Sequence, residues 1–368
     1  MASDVNRPPT PLYGFKVYTI TTGADTEITS QSNKNEHGQR KSVKFKVDST
    51  SLQAISDYFR ASFHFNNKFK HKIVFKDDDP DALRVWFIYL HAYAERGIVV
   101  NGELKVTRKV RRRLFQCPCV RSTGVPRLWN IVNAADKYLL DLTILKGFFT
   151  TWFHRNVNLD DQVVDLDLIR NLVHLCYFFD HVDGFAAVTK YLVYNSTEPM
   201  TEILQSGKEW ENQHLYIPEL DGIVDRARGL LISTLEEVLI TKAFKTTTPD
   251  TDRHQYLLEL ERIDVIPQEI KNLKIDISTL LSRLQMFNMD QSDGERMRLV
   301  QHVHSFSKDA MKTFNGLCMD CMAREPSSHD NLYKEHLNIQ KNGNGHYATP
   351  CRIKHGRITW YIKSHYFK

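Results

Sequence analysis

The sequence lacks the features of exported and membrane proteins. It opens with Met1-Ala2-Ser3-Asp4, without a basic stretch followed by an apolar run, so no signal peptide is indicated. Its most apolar stretches, such as 168–179, contain polar residues and are too short to span a bilayer. Only 6 of the 368 residues are cysteine, which is not typical of a secreted disulfide framework. We therefore expect a soluble protein of the cytoplasm or the nucleus, with no membrane partner.

Short signatures of enzymes are also missing. The chain contains no G-x-G-x-x-G, no P-loop, no H-E-x-x-H and no G-x-S-x-G. A net charge of +5 is too small for a protein that binds nucleic acid along its whole length. These absences favour a binding protein without enzymatic activity, and we assign no catalytic residue.

The length and the hydrophobic pattern predict an α+β protein with several parts, since domains average about 100–200 residues. Residues 1–13 hold three prolines and few apolar side chains, which predicts a disordered leader. An α+β domain is predicted over 14–155, followed by a helical region over 156–310. Residues 311–368 form a Cys/His-rich terminal module.

The first domain opens with short strands. Alternating apolar residues predict strands at 15–21, 43–47 and 72–76, and the polar segment 22–41 predicts a long loop. Asp79 and Pro80 then predict the start of a helix, because aspartate accepts bonds from free N–H groups and proline suits the first helical position. Four large residues follow at helical spacing, namely Leu83, Trp86, Phe87 and Leu90.

This order of elements resembles a BTB/POZ domain, of the divergent kind common in fungal proteins. The resemblance covers 14–155, with a basic insert at 95–127. It implies a small sheet flanked by helices. We expect Trp86, Phe87 and Tyr138 to belong to the core rather than to an exposed interaction face. The segments that carry it are 45–47, 52–59, 73–80, 86–91 and Ala134-Ala135-Asp136-Lys137-Tyr138.

The resemblance implies an adaptor or scaffold that binds other proteins, since such domains have no catalytic centre. Its implied partners are a second copy of the chain or, for a ubiquitin-ligase substrate adaptor, a cullin scaffold. Two positions differ from the family pattern. Asp48-Ser49 stands where many members carry His-Lys, and Asn130 replaces the glutamate of an apolar-x-Glu signature found in cullin-binding members.

Two pairs of metal-binding residue types lie near the C-terminus. Cys318 and Cys321 form C-x-x-C, whereas Cys351 and His355 form C-x-x-x-H. Zinc prefers four tetrahedral nitrogen or sulfur ligands, so two close pairs joined by a longer loop predict a structural zinc site. A turn at Gly316 would direct the first two thiols inward. The same ending is similar to the tails of fungal BTB-like proteins.

The other interpretation of these cysteines is that they are ordinary thiols and that the two pairs never meet. His329, His336 and His346 are rival fourth ligands. Elsewhere, Cys117 and Cys119 lack a second nearby pair and are not expected to bind metal. Cys176 is expected to be buried in a helix, and His302 and His304 are expected at the surface.

The basic insert supports an alternative function. Between Lys105 and Arg113, six side chains are positively charged. They fit a solvated loop, a nuclear-import signal, an acidic-partner site or a phosphate-binding stripe. The alternative to an adaptor is therefore a nuclear regulator that binds nucleic acid through this insert and the zinc tail.

Overall fold

The structure is a computed structural model with two compact units, Met1–Trp152 and Phe153–Lys368. A small four-stranded sheet with helices in the first unit, and mainly helices in the second, confirms the expected mixture of elements. No helix among the described residues is long and apolar enough to cross a membrane. The structure describes residues 16–34, 40–65, 72–96, 99–100, 103–104, 123–159, 165–200, 217–242, 250–265, 275–289, 294–323 and 351–353.

The sheet contains four strands in the order β1-β3-β2-β4. Strand β1 runs parallel to β3, β2 runs antiparallel to β3, and β4 runs parallel to β2. A separate ribbon joins β5 (Val99–Val100) to β6 (Glu103–Leu104). The bounds of the sheet strands are β1 Lys16–Thr19, β2 Thr26–Lys34, β3 Arg40–Val47 and β4 Lys72–Lys76.

The prediction of a long loop over 22–41 is wrong. Strand β2 occupies nine residues of that segment and pairs on both sides, so it lies inside the sheet. Its buried side chains alternate, as a half-buried strand requires, but of Thr26, Ile28 and Ser30 only the isoleucine is apolar. Because two of the three buried residues are polar, the sequence does not show the alternation of apolar and polar residues that predicts a strand.

The helices of the first unit pack around this sheet. Helix α3 begins at Pro80, as predicted, and Oδ1 of Asp79 accepts the backbone N–H of Asp81 at 2.8 Å. The core also follows the expectation, because Trp86, Phe87 and Tyr138 are buried. The helices are α1 Ser49–Ile55, α2 Asp57–Phe65, α3 Pro80–Arg96, α4 Val125–Lys137, a 3₁₀ turn Leu142–Leu145 and α5 Lys146–Asn156.

In its described part, the second unit is helical. Of the predicted terminal module 311–368, the structure describes residues 311–323 and 351–353. The division into 156–310 and 311–368 stays a prediction. The helices are α6 Leu166–Phe178, α7 Val182–Asn195, α8 Pro218–Glu236, a π-helical segment Glu237–Lys242, α9 Asp250–Arg262, α10 Ile277–Gln285, α11 Gly294–Thr313 and α12 Met319–Met322.

Three helices end on a residue in the left-handed conformation, a position that usually holds glycine. Asp180 follows α6 with φ 51°, Asp264 follows α9 with φ 56°, and Leu139 follows α4 with φ 50°. Each aspartate forms an ion pair with an arginine from another segment, Asp180 with Arg352 and Asp264 with Arg283. Leu139 instead holds a side chain that is 65% exposed.

Candidate metal centre

The turn at Gly316 fixes the chain against helix α7 just before the first cysteine. Gly316 has φ 94°, and a Cβ at this position would overlap the carbonyl group of Ala186. The next residue, Leu317, donates its backbone N–H to Oγ1 of Thr189 at 2.9 Å. The predicted turn is therefore present, and only glycine fits the close approach of the two backbones.

Three of the four predicted zinc ligands meet beyond this turn. Cys318 precedes α12, Cys321 lies within it, and Cys351 returns from the distant end of the chain. The three Sγ atoms all lie within 4.8 Å of one another, and those of Cys321 and Cys351 are 3.5 Å apart. Cys318 and Cys321 are buried, whereas Cys351 is half-buried. They pack with Ala186, Ile353 and the half-buried side chain of Val182.

The donor set fits a thiophilic metal such as zinc. Tetrahedral zinc with bonds of about 2.3 Å to sulfur separates neighbouring thiolates by about 3.8 Å. The observed separations, 3.5 Å for one pair and at most 4.8 Å for the others, lie around that value. Three sulfur donors favour zinc or copper(I) over magnesium or calcium, which prefer oxygen. The cysteine cluster can therefore hold a metal ion after small movements.

The described residues supply three ligands of the predicted site. Within them, no further histidine, cysteine, aspartate or glutamate completes the group of three thiols. His355, which the spacing predicts, lies outside the described residues. The rival ligands His329, His336 and His346 also lie outside them.

The thiol of Cys321 holds its proton strongly in this cluster. The neighbouring thiols of Cys318 and Cys351, together with burial, raise the pKa of Cys321 well above its ordinary value. A metal ion binds the thiolate form of cysteine, so loading this site releases protons.

An ion-pair network holds the third cysteine in place. The backbone N–H of Arg352 donates to Oδ2 of Asp320 at 2.7 Å, and its Nε donates to Oδ1 at 2.8 Å. Its Nη1 donates to Oδ2 of Asp180 at 2.5 Å. Burial alone would lower the pKa of Arg352, but the two carboxylates outweigh it and raise that pKa. Arg352 directly follows Cys351, and its contacts therefore connect this segment to both α12 and the loop after α6.

Sequence reasoning missed this network. The one signal in the sequence was an arginine directly after a predicted ligand. Its partner Asp180 lies 172 positions earlier in the chain, so no local pattern connects the two. It also missed a buried cluster in which Arg170 and His174, four residues apart on α6, face Asp221 of α8. Nη2 of Arg170 donates to the carbonyl of Met200 at 2.8 Å. That cluster anchors the chain beyond α7.

The remaining cysteines, and also His302 and His304, lie apart from the cysteine cluster or beyond the described residues. Cys176 is fully buried in α6, as expected, and burial raises its pKa. His302 is exposed, whereas His304 is half-buried and its Nε2 lies 2.8 Å from the carbonyl oxygen of Phe287. Cys117, Cys119 and the charged run 105–113 lie outside the described residues.

Comparison with known proteins adds no family to these observations. No protein-family model matches the chain, and neither a curated protein nor a solved structure matches it.

Proposed function

We propose that this chain is a non-enzymatic protein-interaction adaptor or scaffold, built on a BTB/POZ-like first unit. The order of elements supports the proposal: a small mixed sheet, helix α3 that starts at Asp79-Pro80, and helix α4 that ends in the Ala-Asp-Lys-Tyr segment. The observation that carries the interaction function is the exposed side chain of Leu139.

Leu139 is exposed at a hydrogen-bonded helix end. The backbone N–H of Leu140 donates to the carbonyl of Ala135 at 2.8 Å, which closes the terminal loop of α4 around Leu139. A leucine in this left-handed conformation is strained by about 1–2 kcal/mol, whereas glycine is not. Strain at an exposed apolar residue points to a role outside the folded chain.

A fixed, exposed leucine suits a partner protein with an apolar pocket. Because its backbone is already ordered by α4, binding would immobilise only the leucine side chain. A cullin scaffold is a less favoured partner. Nδ2 of Asn130, at the position of the signature glutamate, donates to Oδ2 of Asp79 at 3.2 Å and is used within the first unit.

Affinity purification with matched variants tests this function. Tagged wild type, Leu139→Gly and Leu258→Ala are purified from the native cells, and copurifying proteins are quantified by mass spectrometry. Leu258 is an exposed leucine of the second unit and serves as the control. We expect one near-stoichiometric protein to be lost from Leu139→Gly alone, and the purified pair to bind directly with the same dependence.

Two results would contradict this function. Identical partners for wild type and Leu139→Gly would remove the role of the leucine. Self-association alone, measured by light scattering, would replace the partner protein with a second copy of the chain.

The terminal cysteines serve a structural function in this proposal. Zinc held by Cys318, Cys321, Cys351 and His355 would leave no open position for a substrate, so it would stabilise the fold of the tail. The three clustered sulfur atoms support the metal, while His355 as the fourth ligand rests on its spacing in the sequence.

The nuclear, nucleic-acid-binding alternative stays a prediction, because its basic insert lies outside the described residues. Salt dependence separates the two functions. Binding through phosphate contacts weakens steeply as salt rises, whereas burial of Leu139 in an apolar pocket does not.

A further inference from the structure

We infer that Cys321 and Cys351 are an oxidant-sensitive pair that forms an intramolecular disulfide when the site holds no metal. Their Sγ atoms are 3.5 Å apart, compared with about 2.05 Å in a disulfide. The sulfur atoms need to approach each other by only about 1.5 Å, a distance within reach of side-chain rotation. This inference goes beyond the proposed structural zinc, since it concerns the same thiols without metal.

Exposure assigns different roles to the two cysteines. Cys351 is half-buried, whereas Cys318 and Cys321 are buried. A small oxidant from solvent therefore reaches Cys351 first. The sulfur of Cys321 lies 3.5 Å from that of Cys351, and Cys321 acts as the resolving thiol.

Hydrogen peroxide is the oxidant class that this arrangement fits. The sulfur of Cys351 attacks one peroxide oxygen, the O–O bond breaks, and the departing hydroxide takes the thiol proton and leaves as water. The resulting sulfenic acid is then attacked by the sulfur of Cys321, whose proton leaves with the hydroxyl group as a second water. Two thiols and one peroxide thus give one disulfide and two water molecules.

The disulfide would keep the tail in place after the metal is lost. It links α12 to the same residue that the metal would hold. The contacts of Arg352 with Asp320 and Asp180 join the same segments and contain no sulfur, so oxidation leaves them intact. After oxidation, a disulfide would connect Cys351 to α12 in place of the metal ion.

The experiment uses the full-length protein with Cys117 and Cys119 changed to serine, so that no thiols of the basic insert react. Zinc-loaded and chelator-treated samples receive one equivalent of hydrogen peroxide and are then alkylated. Intact mass and a non-reducing digest identify the products. We expect chelator-treated protein to lose the mass of two hydrogen atoms, with the 321–351 peptide pair as the dominant disulfide.

Two further variants test the pairing. Cys318→Ser removes a metal ligand but should still form the 321–351 disulfide, whereas Cys321→Ser should stop at oxidised Cys351. A dominant 318–321 or 318–351 disulfide, or sulfinic acid at Cys351 without any disulfide, would overturn the inference. The thiols of the chelator-treated protein need no metal, so the disulfide found in that sample does not depend on whether zinc binds. The same sample tests the 321–351 pairing even if Cys318→Ser does not fold.

Discussion

The phenol of Tyr138 donates a hydrogen bond to Oδ2 of Asp78 at 2.6 Å, across 60 positions of the chain. Nζ of Lys137 donates to both oxygens of the same carboxylate, at 3.0 and 2.9 Å. The hydroxyl of Ser56 donates a hydrogen bond to the carbonyl of Tyr138 at 2.8 Å. The ring of Tyr138 stacks on that of Phe75, with centroids 4.4 Å apart. The end of α4 is thereby joined to the loop before α3.

Removing this hydroxyl should destabilise the first unit. Tyr138→Phe keeps the stacked ring but removes one hydrogen-bond donor from the nearly buried carboxylate of Asp78. A hydrogen bond to a charged group contributes about 1.5–3 kcal/mol, which is the loss we expect in the free energy of unfolding. Urea unfolding of the full chain, followed by a signal from the first unit, measures the loss. Tyr58→Phe, on a half-buried ring that contacts Tyr138, is the control and should change little.

The same hydroxyl predicts a dependence on alkaline pH. Burial and the neighbouring Asp78 raise the pKa of Tyr138 above its ordinary value. The folded state therefore favours the neutral phenol, so this contribution is complete below the unfolded pKa of about 10 and is lost as pH rises above it. The stability difference between wild type and Tyr138→Phe should shrink between pH 9 and pH 11 (about one unit on either side of that pKa). A constant difference across that range would contradict the assignment.

Gly316→Ala should weaken the cysteine cluster. The added Cβ collides with the carbonyl of Ala186, and φ 94° is unfavourable for alanine, so we expect a destabilisation of more than about 1 kcal/mol. Zinc affinity should fall with it, because this turn positions Cys318. Gly229→Ala is the matched control: its Cβ meets nothing within 4 Å, and alanine favours the interior of α8. Thermal unfolding that ranks both variants alike would contradict this account.

Metal content gives the most direct test of the cysteine cluster. Purified wild type should carry about one zinc per chain, as a structural site requires. Cys318→Ser should lose it, and chelation should lower the melting temperature of the wild type. Cys176→Ala should keep the zinc, because Cys176 is buried in α6 outside the cluster. Elemental analysis that finds fully folded wild type without metal would exclude the site.

Leu139→Gly should stabilise the chain by about 1 kcal/mol, since glycine adopts the left-handed conformation without strain. Chemical unfolding measures this gain. Together with loss of the partner, it would separate a role in binding from a role in folding. Asp264→Gly provides the contrast: it relieves the same backbone strain but removes the ion pair with Arg283, so its gain should be smaller. A destabilised Leu139→Gly variant would show that the leucine serves the fold.

Local chemistry was sufficient where neighbours in sequence determine the structure. Asp79 and Pro80 predicted the start of α3 because capping and proline geometry act within one helical turn. The spacing of Cys318 and Cys321, with glycine at 316, predicted the turn and the first pair of thiols for the same reason. Strand β2 escaped prediction because Thr26 and Ser30 are polar yet buried, and burial on a sheet face is set by the elements packed against it, here helix α3.

The sequence by itself determined the start of α3, the core residues Trp86, Phe87 and Tyr138, and the residue types of a metal site, all of which depend on spacing along the chain. Only the tertiary structure decided that Cys351 reaches Cys321, that Arg352 meets Asp180 and that Tyr138 reaches Asp78. The same holds for the conformation that exposes Leu139, which the hydrogen bonds at the end of α4 impose. Long-range contacts depend on how whole elements pack, and no local pattern encodes them.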